Sequence, residues 1–428
     1  MERFLTGEAL ATLAAAEAER GLTRVHELTE IAALLTSTFD LEQILSTLMD
    51  AALRMAGAEV GCLWLEGGAP RARVTWGLEE EVLERLRLQS GETVPEHVIR
   101  SGELFWSPAC ARDRRVRSLP VGVSLESLLV APLRHKGRAI GCIVVANRGA
   151  AELEPGDRES LEALAGLATV AIENARLHRV ALEKQALERE LGIARQVQLA
   201  LLPAGDPEGT GIRWASAYLP AGRVGGDYFD FLSGPGGRHG VVVADVSDKG
   251  VPAALFMVAT RSLVRHEAAR CADPAQVVRR VNQALCQDTE RYASVFVTLF
   301  YGLYDRARRE FRYTNAGHWP ALWLPQGGEP TWLTTAGGVL GQFPEAQYEC
   351  GRVRLESGDL LVCFTDGVTE AAAPDGSLFR GEGLAAVVRA ARELPVEGVA
   401  TEIVEAVRRF AGSCGVADDL TVVVGRAE

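Results

Sequence analysis

The chain has 428 residues, which is long for one domain and sufficient for two. Its formal net charge is −12 and it has no strongly basic region, which argues against general nucleic-acid binding. Its eight cysteines are scattered without a CxxC pair, which favours reduced thiols over a disulfide framework or a zinc site. Because the N-terminus lacks a secretion signal and no apolar run reaches membrane-spanning length, we expect a cytoplasmic protein without a membrane partner.

The first part of the chain is predicted to begin with helices and continue with strands. Residues 1–24 are rich in Ala, Glu and Arg and favour a helical extension. Apolar residues recur at helical spacing over 25–56, and the FDLEQ segment indicates a new helix that starts near Asp40. Residues 59–67 predict a strand, and two apolar runs joined by a Lys-Gly turn within 127–147 predict a hairpin.

Residues 158–201 are rich in Ala, Leu and Glu and predict one long helix. An imperfect heptad seam can be drawn along it, with Leu177, Lys184, Leu191 and Gln198 at a positions and Val180, Leu187, Ala194 and Leu201 at d positions. The seam predicts a parallel homodimer whose pairing sets activity. The alternative is a single amphipathic helix packed on its own domain.

Downstream of this helix, short apolar strands alternate with glycine turns, and the helices are grouped. The predicted strands are 240–246, 294–305, 310–317, 359–367 and 420–426, and the predicted helices are 251–270, 274–290, 381–392 and 396–412. This arrangement indicates α+β layers and not an alternating βαβ fold.

Several acids lie at the ends of these predicted strands. Asp245 ends VVVAD, Asp366 ends LLVCFTD, and the pair Asp418 and Asp419 directly precedes LTVVV. A strand end is a rigid place from which to direct a carboxylate, and these acids would converge if the strands lie side by side. Asp227, within AGRVGGDYFDF, would add a fourth carboxylate from a loop whose two glycines allow close approach.

Clustered carboxylates of this kind suit the hard divalent cations Mg²⁺ and Mn²⁺ better than zinc. Two such cations can lower the pKa of a water molecule and direct it at phosphorus. The VGGD segment also faintly resembles the signature of diguanylate cyclases, in which two glycines and an aspartate precede glutamate and phenylalanine. Tyr228 stands where that signature needs an acid, which argues against a cyclase.

Five motifs in order resemble the SpoIIE/RsbU branch of the PP2C-like (PPM) serine/threonine phosphatases: VGGDYFD, ADVSDKGVPAALF, NAGHWP, FTDGVTEA and DDLTVVV. The resemblance covers about residues 195–426. It implies an α-β-β-α sandwich with two Mn²⁺ or Mg²⁺ ions between the sheets. The positions that match the family's metal ligands are Asp227, Asp245, Asp366 and Asp418, with the carbonyl of Val246 as a further ligand.

Other polar residues in these motifs are open to more than one interpretation. Asp419 ranks below its neighbour as a ligand, and Asp230 is a candidate for a place behind the ligands. His318 is predicted to fix a turn by hydrogen bonds, with a general acid as the alternative. Arg223 is a candidate for a phosphate contact, although loop arginines are more often solvated.

Residues 25–175 resemble a GAF domain. The resemblance rests on the entry helices and on GETVPEHVIRSGELFW, LLVAPLRHKGRAIGCIVVANR and LEALAGLATVAIENARL. GAF domains bind small molecules or act as dimerisation modules. Arg148 and Leu153 depart from the pattern of nucleotide-binding members, so the ligand of this domain, if it has one, stays unassigned. His97 and His135 could be proposed as haem ligands, but surface histidines are the simpler interpretation.

The predicted protein is of the α+β class. It has a helical extension (1–24), a GAF sensor domain (25–175), a helical linker (176–204) and a PP2C-like domain (205–428). The predicted activity is metal-dependent hydrolysis of phosphoserine or phosphothreonine in a protein, without a covalent phosphoenzyme. The resemblance implies a phosphorylated anti-sigma-factor antagonist of the STAS type as substrate, in a partner-switching pathway. The alternatives are a signalling scaffold without catalysis and the cyclase.

Overall fold

The computed structural model describes residues 7–66, 71–77, 87–118, 125–147, 153, 155–203, 205, 207, 209–222, 224–289 and 295–428. The chain divides into two compact units, Met1–Ala186 and Leu187–Glu428. The division falls inside the helix Pro155–Leu201, which contributes residues to both units. Residues 1–6 of the predicted extension and Arg148 lie outside the described ranges.

The first unit contains α1 (Gly7–Thr36), α2 (Leu41–Ala56), α3 (Val94–Ser101) and the start of α4 (Pro155–Leu201), with strands β1 (Val60–Leu65), β2 (Arg71–Trp76), β3 (Arg87–Leu88), β4 (Phe105–Ser107), β5 (Val116–Ser118), β6 (Ser127–His135) and β7 (Arg138–Asn147). Among the described residues, an antiparallel sheet has the order β2-β1-β7-β6-β4. A separate pair joins β3 to β5.

Local sequence signals explain the boundaries of these elements. The Asp40 carboxylate caps α2 by accepting hydrogen bonds from the backbone of Glu42 and Gln43, which confirms the predicted helix start. The predicted hairpin is also confirmed, because β6 pairs with β7 across a two-residue turn. Both turn residues, Lys136 at φ 48° and Gly137 at φ 84°, have the left-handed backbone that such turns require.

The sheet of the first unit is apolar on both faces. Along β7, Ile143 packs into the core beneath α2 and α4, whereas its neighbour Val144 packs into the core on the other face with Val98 of α3. Successive strand residues point to opposite faces, so a strand that is covered twice reads as a continuous apolar run. This accounts for the uninterrupted GCIVVAN sequence.

The second unit contains the end of α4, α5 (Val251–Ala268), α6 (Pro274–Thr289), α7 (Asp366–Thr369), α8 (Arg380–Ala390) and α9 (Val396–Ala411), with strands β8 (Ile212–Leu219), β9 (Tyr228–Gly234), β10 (Arg238–Val246), β11 (Val297–Asp305), β12 (Glu310–Ala316), β13 (Ala321–Leu324), β14 (Thr331–Leu333), β15 (Gly351–Arg354), β16 (Leu360–Phe364) and β17 (Leu420–Ala427). In the described part of this unit, two antiparallel sheets have the orders β15-β12-β11-β10-β9 and β14-β13-β16-β17-β8.

These sheets and helices form the predicted α-β-β-α sandwich. In β16, Leu361 and Cys363 belong to the core shared with the other sheet and with α5 and α6. The alternate residues Val362 and Phe364 pack on the outer side, with Ile403 of α9. One strand thus contributes to two apolar layers, which is why it reads as an unbroken apolar run.

One predicted strand boundary was wrong. The strand predicted over 359–367 ends at Phe364, and Asp366 begins the short helix α7. The chain passes very close to the next strand at this point, because a Cβ atom on Gly367 would lie 2.0 Å from the carbonyl oxygen of Asp419. A continued strand that carried a side chain at this position would not fit.

Candidate metal centre

The four predicted carboxylate ligands come from two different sheets. Asp227 directly precedes β9, and Asp245 lies in the neighbouring strand β10. Asp366 follows β16 and Asp418 precedes the neighbouring strand β17 of the second sheet. The sequence predicted strands lying side by side, whereas the structure brings together two adjacent strand ends from each of two packed sheets.

Asp227 is buried, and its carboxylate is oriented by hydroxyl groups from the opposite sheet. Its Oδ2 atom accepts hydrogen bonds from Thr365 Oγ1 at 2.7 Å and from Thr421 Oγ1. Burial raises the pKa of Asp227 well above its ordinary value, and the nearby charge of Asp245 raises it further. The threonine hydroxyls counteract this only in part, so the carboxylate lies in a site that favours an added positive charge.

The carboxylates of Asp245 and Asp366 experience the same electrostatic penalty. Burial raises the pKa of Asp245 to about 7, and the charges of Asp366 and Asp418 add to the effect. Burial likewise raises the pKa of Asp366 to about 6, with contributions from Glu370 and Asp418. Like charges this close to one another are stable together when a cation lies among them.

The two glycines of the VGGD loop allow it to approach these acids. A Cβ atom on Gly226 would lie 2.8 Å from the carbonyl oxygen of Val246 and 3.4 Å from Asp245 Oδ1. A Cβ atom on Gly225 would lie 2.1 Å from Asp419 Oδ2. A side chain at Gly225 would displace the Asp419 carboxylate, and one at Gly226 would collide with the backbone of Val246, which explains the glycine pair in the sequence.

Asp419 binds the glycine loop. Its Oδ1 atom accepts a hydrogen bond from the backbone N–H of Ala221 at 2.9 Å, and its Oδ2 atom accepts one from Gly226 at 3.0 Å. Asp418 and Asp419 both line the cavity, but Asp419 alone of the two accepts these hydrogen bonds from the loop. The two consecutive aspartates therefore differ in role: Asp419 fixes the loop, and Asp418 is the proposed metal ligand.

Gln198, near the end of α4, is a contributor to the site that the sequence did not reveal. Its Nε2 donates to the carbonyl oxygen of Gly225 at 2.6 Å, and its Oε1 accepts from the N–H of Gly225 at 3.0 Å. The side chain is only 5% exposed. The prediction that Gln198 occupies an a position between two chains was therefore wrong, because its amide is buried and binds Gly225 of its own chain at both ends.

His318 links the two sheets. Its Nε2 atom lies 2.9 Å from the carbonyl oxygen of Phe364, which can only accept, so Nε2 carries the proton. Its Nδ1 atom then accepts from Thr298 Oγ1 at 2.7 Å, and its backbone N–H donates to Asn315 Oδ1 at 2.7 Å. Burial lowers the pKa of His318 to about 4, so the ring is neutral near pH 7. This geometry favours the turn-fixing interpretation over a general acid.

Asp230 lies apart from the carboxylate cluster. Asp230 is buried and accepts hydrogen bonds from Arg265 at 2.6 Å and from the Tyr228 hydroxyl at 3.0 Å. Its charge is therefore neutralised by α5 and serves the packing of that helix. Arg223 lies outside the described residues.

A cavity of about 370 Å³ opens over the acids, which is ample for a phosphate group with cations beside it. Its lining includes Asp245, Asp418, Lys249 and, from α4, Leu191. Among the residues that the structure describes, no group of three or more His, Cys, Asp or Glu side chains is already placed to hold a metal ion. The all-oxygen, carboxylate-rich donor set nevertheless fits Mg²⁺ or Mn²⁺, since Mg²⁺ commonly binds through one or two carboxylates and retains several waters.

Comparison with known proteins agrees with this arrangement. Residues 235–428 match the family model of stage II sporulation protein E, and residues 39–173 match that of GAF domains. The chain is 32% identical over 198 residues to the phosphoserine phosphatase RsbU of Bacillus subtilis, which covers 46% of this chain and 58% of RsbU. It is 30% identical over 216 residues to protein IcfG of Synechocystis sp., which covers 44% of this chain and 34% of IcfG.

Among solved structures, the SiaA-PP2C domain of Pseudomonas aeruginosa superimposes with a TM-score of 0.52 at 23% identity, covering 58% of this chain and all of that one. The match shows a shared fold. The chain thus carries a GAF domain followed by a SpoIIE-type, PP2C-like domain. It spans between about a third and three fifths of the length of the two curated relatives named above. Within the described ranges, no helix is both long and apolar enough to cross a bilayer.

Proposed function

We propose that this protein is a metal-dependent protein serine/threonine phosphatase whose activity is set by its GAF domain. The observation that carries the proposal is the clustering of carboxylates from two packed sheets beside one cavity, in the domain that matches the SpoIIE family. The name of one curated relative reported above, the phosphoserine phosphatase RsbU of Bacillus subtilis, supports the same activity.

The residues that would hold two Mn²⁺ or Mg²⁺ ions are Asp227, Asp245, Asp366 and Asp418, together with the carbonyl group of Val246. When bound, such ions lower the pKa of water and offset negative charge on phosphoryl oxygens. The protein's own contribution is to orient the proposed ligand side chains and to hold the loop that carries Asp227. Threonine hydroxyls orient the Asp227 carboxylate, and Gln198 and Asp419 fix the loop that carries it.

The overall reaction is hydrolysis of a phosphate monoester. Water adds to phosphorus, the bond from phosphorus to the serine or threonine oxygen breaks, and the hydroxyl side chain leaves with a proton. Pre-organised groups make such a step fast because they need not rearrange as charge moves. The fold supplies this rigidity, since each acid stands at a strand end or at a loop tied to the sandwich.

The activity can be tested by release of phosphate from a phosphoserine peptide by the full chain, with MnCl₂ or with EDTA. We expect turnover with the metal and none with the chelator. Turnover that persists in EDTA would contradict the metal mechanism. Absence of turnover on phosphopeptides and on phosphorylated proteins, at saturating metal, would favour the scaffold alternative.

We propose a phosphorylated STAS-domain anti-sigma-factor antagonist as the substrate, in a partner-switching pathway. The support is the motif resemblance to the RsbU branch and the similarity to RsbU itself. A phosphoproteome comparison between a wild-type and a deletion strain tests the proposal. We expect one serine or threonine of a STAS-domain protein to gain phosphate in the deletion strain, and an unchanged STAS phosphosite would contradict it.

For regulation, we propose that α4 pairs in parallel with α4 of a second chain. Leu177, Val180 and Leu187 of the predicted seam are each more than half exposed, which supports an apolar surface for this pairing. Analytical ultracentrifugation of the full chain tests it. We expect a dimer at micromolar concentration that Lys184→Leu tightens, whereas a monomer in both variants would leave α4 as a spacer.

A further inference from the structure

A cationic side chain lies over the mouth of the acidic cavity. The Lys249 ammonium group forms an ion pair with Asp418 Oδ2 at 2.9 Å and donates to the carbonyl oxygen of Ala417 at 3.3 Å. In the described lining of the cavity, Lys249 is the basic residue that faces these acids. It thus occupies the place beside Asp418 where the proposed function requires a metal cation.

The backbone directs Lys249 to this position. Asp248 has a φ of 83°, a left-handed conformation that non-glycine residues rarely adopt, and Gly250 on the other side has a φ of 76°. The Asp248 carboxylate accepts a hydrogen bond from the N–H of Lys249 at 2.8 Å, which holds the turn. Strained backbone of this kind persists where the surrounding structure enforces it, and it is concentrated at functional sites.

The ion pair between Lys249 and Asp418 is exposed, so a competing cation can replace it. The side chains of Lys249 and Asp418 are 69% and 48% exposed, so solvent screens their attraction. A lysine carries a point charge on a flexible stem, so the same ammonium group can reach more than one anion around the cavity. A divalent cation bound at Asp418 would compete with the ammonium group for the same oxygen.

We infer that Lys249 is an internal cation that a divalent metal displaces from Asp418, and that the displaced ammonium group then binds the phosphoryl oxygens of the substrate. This inference rests on the proposed function, from which both the metal and the phosphate monoester come. Lys249 would then bind two anions in turn in the same cavity, first the Asp418 carboxylate and then the substrate phosphoryl group. It also assigns the phosphate contact to a residue other than Arg223.

The first test is isothermal titration of the full chain with MnCl₂. We expect Lys249→Met to bind Mn²⁺ about two- to fivefold more tightly than the wild type, because the competing ammonium is gone. The matched control is Arg409→Met, which removes an ion pair with Glu402 of similar exposure (63% and 42%) elsewhere in the same unit. Equal or weaker Mn²⁺ binding by Lys249→Met, relative to wild type, would overturn the displacement.

The second test is titration of the Mg²⁺-loaded protein with inorganic phosphate. We expect Lys249→Met to bind phosphate up to about tenfold more weakly, since a charge-assisted hydrogen bond is lost, and Lys249→Arg to restore binding. Unchanged phosphate affinity in Lys249→Met would overturn the second role. If the proposed function itself is wrong, the result is different. The wild-type protein then shows no Mn²⁺ binding that the Asp245→Asn substitution removes.

Discussion

Buried acids are neutralised differently in the two units. In the first unit, Asp157 is buried in the first turn of α4 and pairs with the Arg24 guanidinium at 3.2 Å. In the second unit, Asp227 is buried beside Asp245, and the groups that donate to its carboxylate include two neutral threonine hydroxyls. Burying a charge without a partner is costly, so the second arrangement fits the metal site proposed above.

The same contrast occurs within the second unit. Asp230 lies three residues from Asp227 along the chain, yet its carboxylate meets Arg265 and the Tyr228 hydroxyl. An acid that the protein neutralises itself serves packing, whereas an acid that it leaves among like charges serves a ligand. Variants of the two kinds of acid and of the residues around them test this distinction.

The largest effect is expected for Asp245→Asn. Loss of one carboxylate from the cluster weakens cation binding, and we expect kcat to fall by at least about a hundredfold at saturating Mn²⁺. Thermal unfolding without metal should occur at the same or a higher temperature, because a repulsive charge is removed. Asp375→Asn, at an exposed turn, is the control and should retain activity. Near-normal turnover by Asp245→Asn would remove this residue from the site.

A smaller loss is expected for Gln198→Ala. The substitution leaves the N–H and C=O of Gly225 without their partners, and an unsatisfied buried polar group costs about 1–3 kcal/mol. We expect kcat/KM to fall about tenfold, since the same energy no longer holds the loop. Gln196→Ala, two residues earlier and exposed, provides the matched control. Equal activity of the two variants would show that the loop holds its position without the amide.

A pH effect on stability is expected from His318. Its pKa in the folded state, about 4, is below the ordinary value of 6.5, so the fold favours the neutral ring. The resulting stabilisation is complete above about pH 6.5 and is lost as the pH falls toward 4, to a total of about 3 kcal/mol. Urea unfolding at several pH values measures it, and His318→Gln should flatten the dependence over this range. If His318→Gln and the wild type had the same pH profile of stability, His318 would not be the source of this pH dependence.

No effect on catalysis is expected from thiol modification. The proposed reaction uses no cysteine, and the exposed thiols Cys350 and Cys414 are absent from the described cavity lining. Alkylation of the folded protein with iodoacetamide should leave kcat/KM unchanged. Loss of activity in proportion to alkylation, or a phosphocysteine trapped during turnover, would contradict a direct attack by water.

The sequence predicted the layers and the acids because both are local patterns. The boundaries of β10 and α9 follow from apolar periodicity, and the proposed ligands stand out as acids at the edges of apolar runs. The sequence could not reveal the contacts between residues that are distant along the chain, because these depend on which surfaces pack together. Thr365 and Thr421 carry no signal of their own, since a threonine in or directly after a strand is ordinary until a carboxylate lies opposite it.

Gln198 illustrates the same limit from the opposite direction. A glutamine at a heptad a position is compatible with a seam between two chains, and equally with a hydrogen bond to a loop 27 residues away. Periodicity gives the face of a helix on which a side chain lies, but not what covers that face. The helix prediction was therefore right, and the partner predicted for this one residue was wrong.

The amide pair between Gln198 and Gly225 has a consequence for hydrogen exchange. Gly225 lies outside the strands, where backbone amides normally exchange fast with solvent, yet its N–H is bonded and buried like one in a ladder. Deuterium uptake at this single amide therefore reports whether the end of α4 is seated on the loop. A signal that unseats the helix would appear there first, as faster exchange at Gly225, while the strand amides of β10 and β17 remain protected.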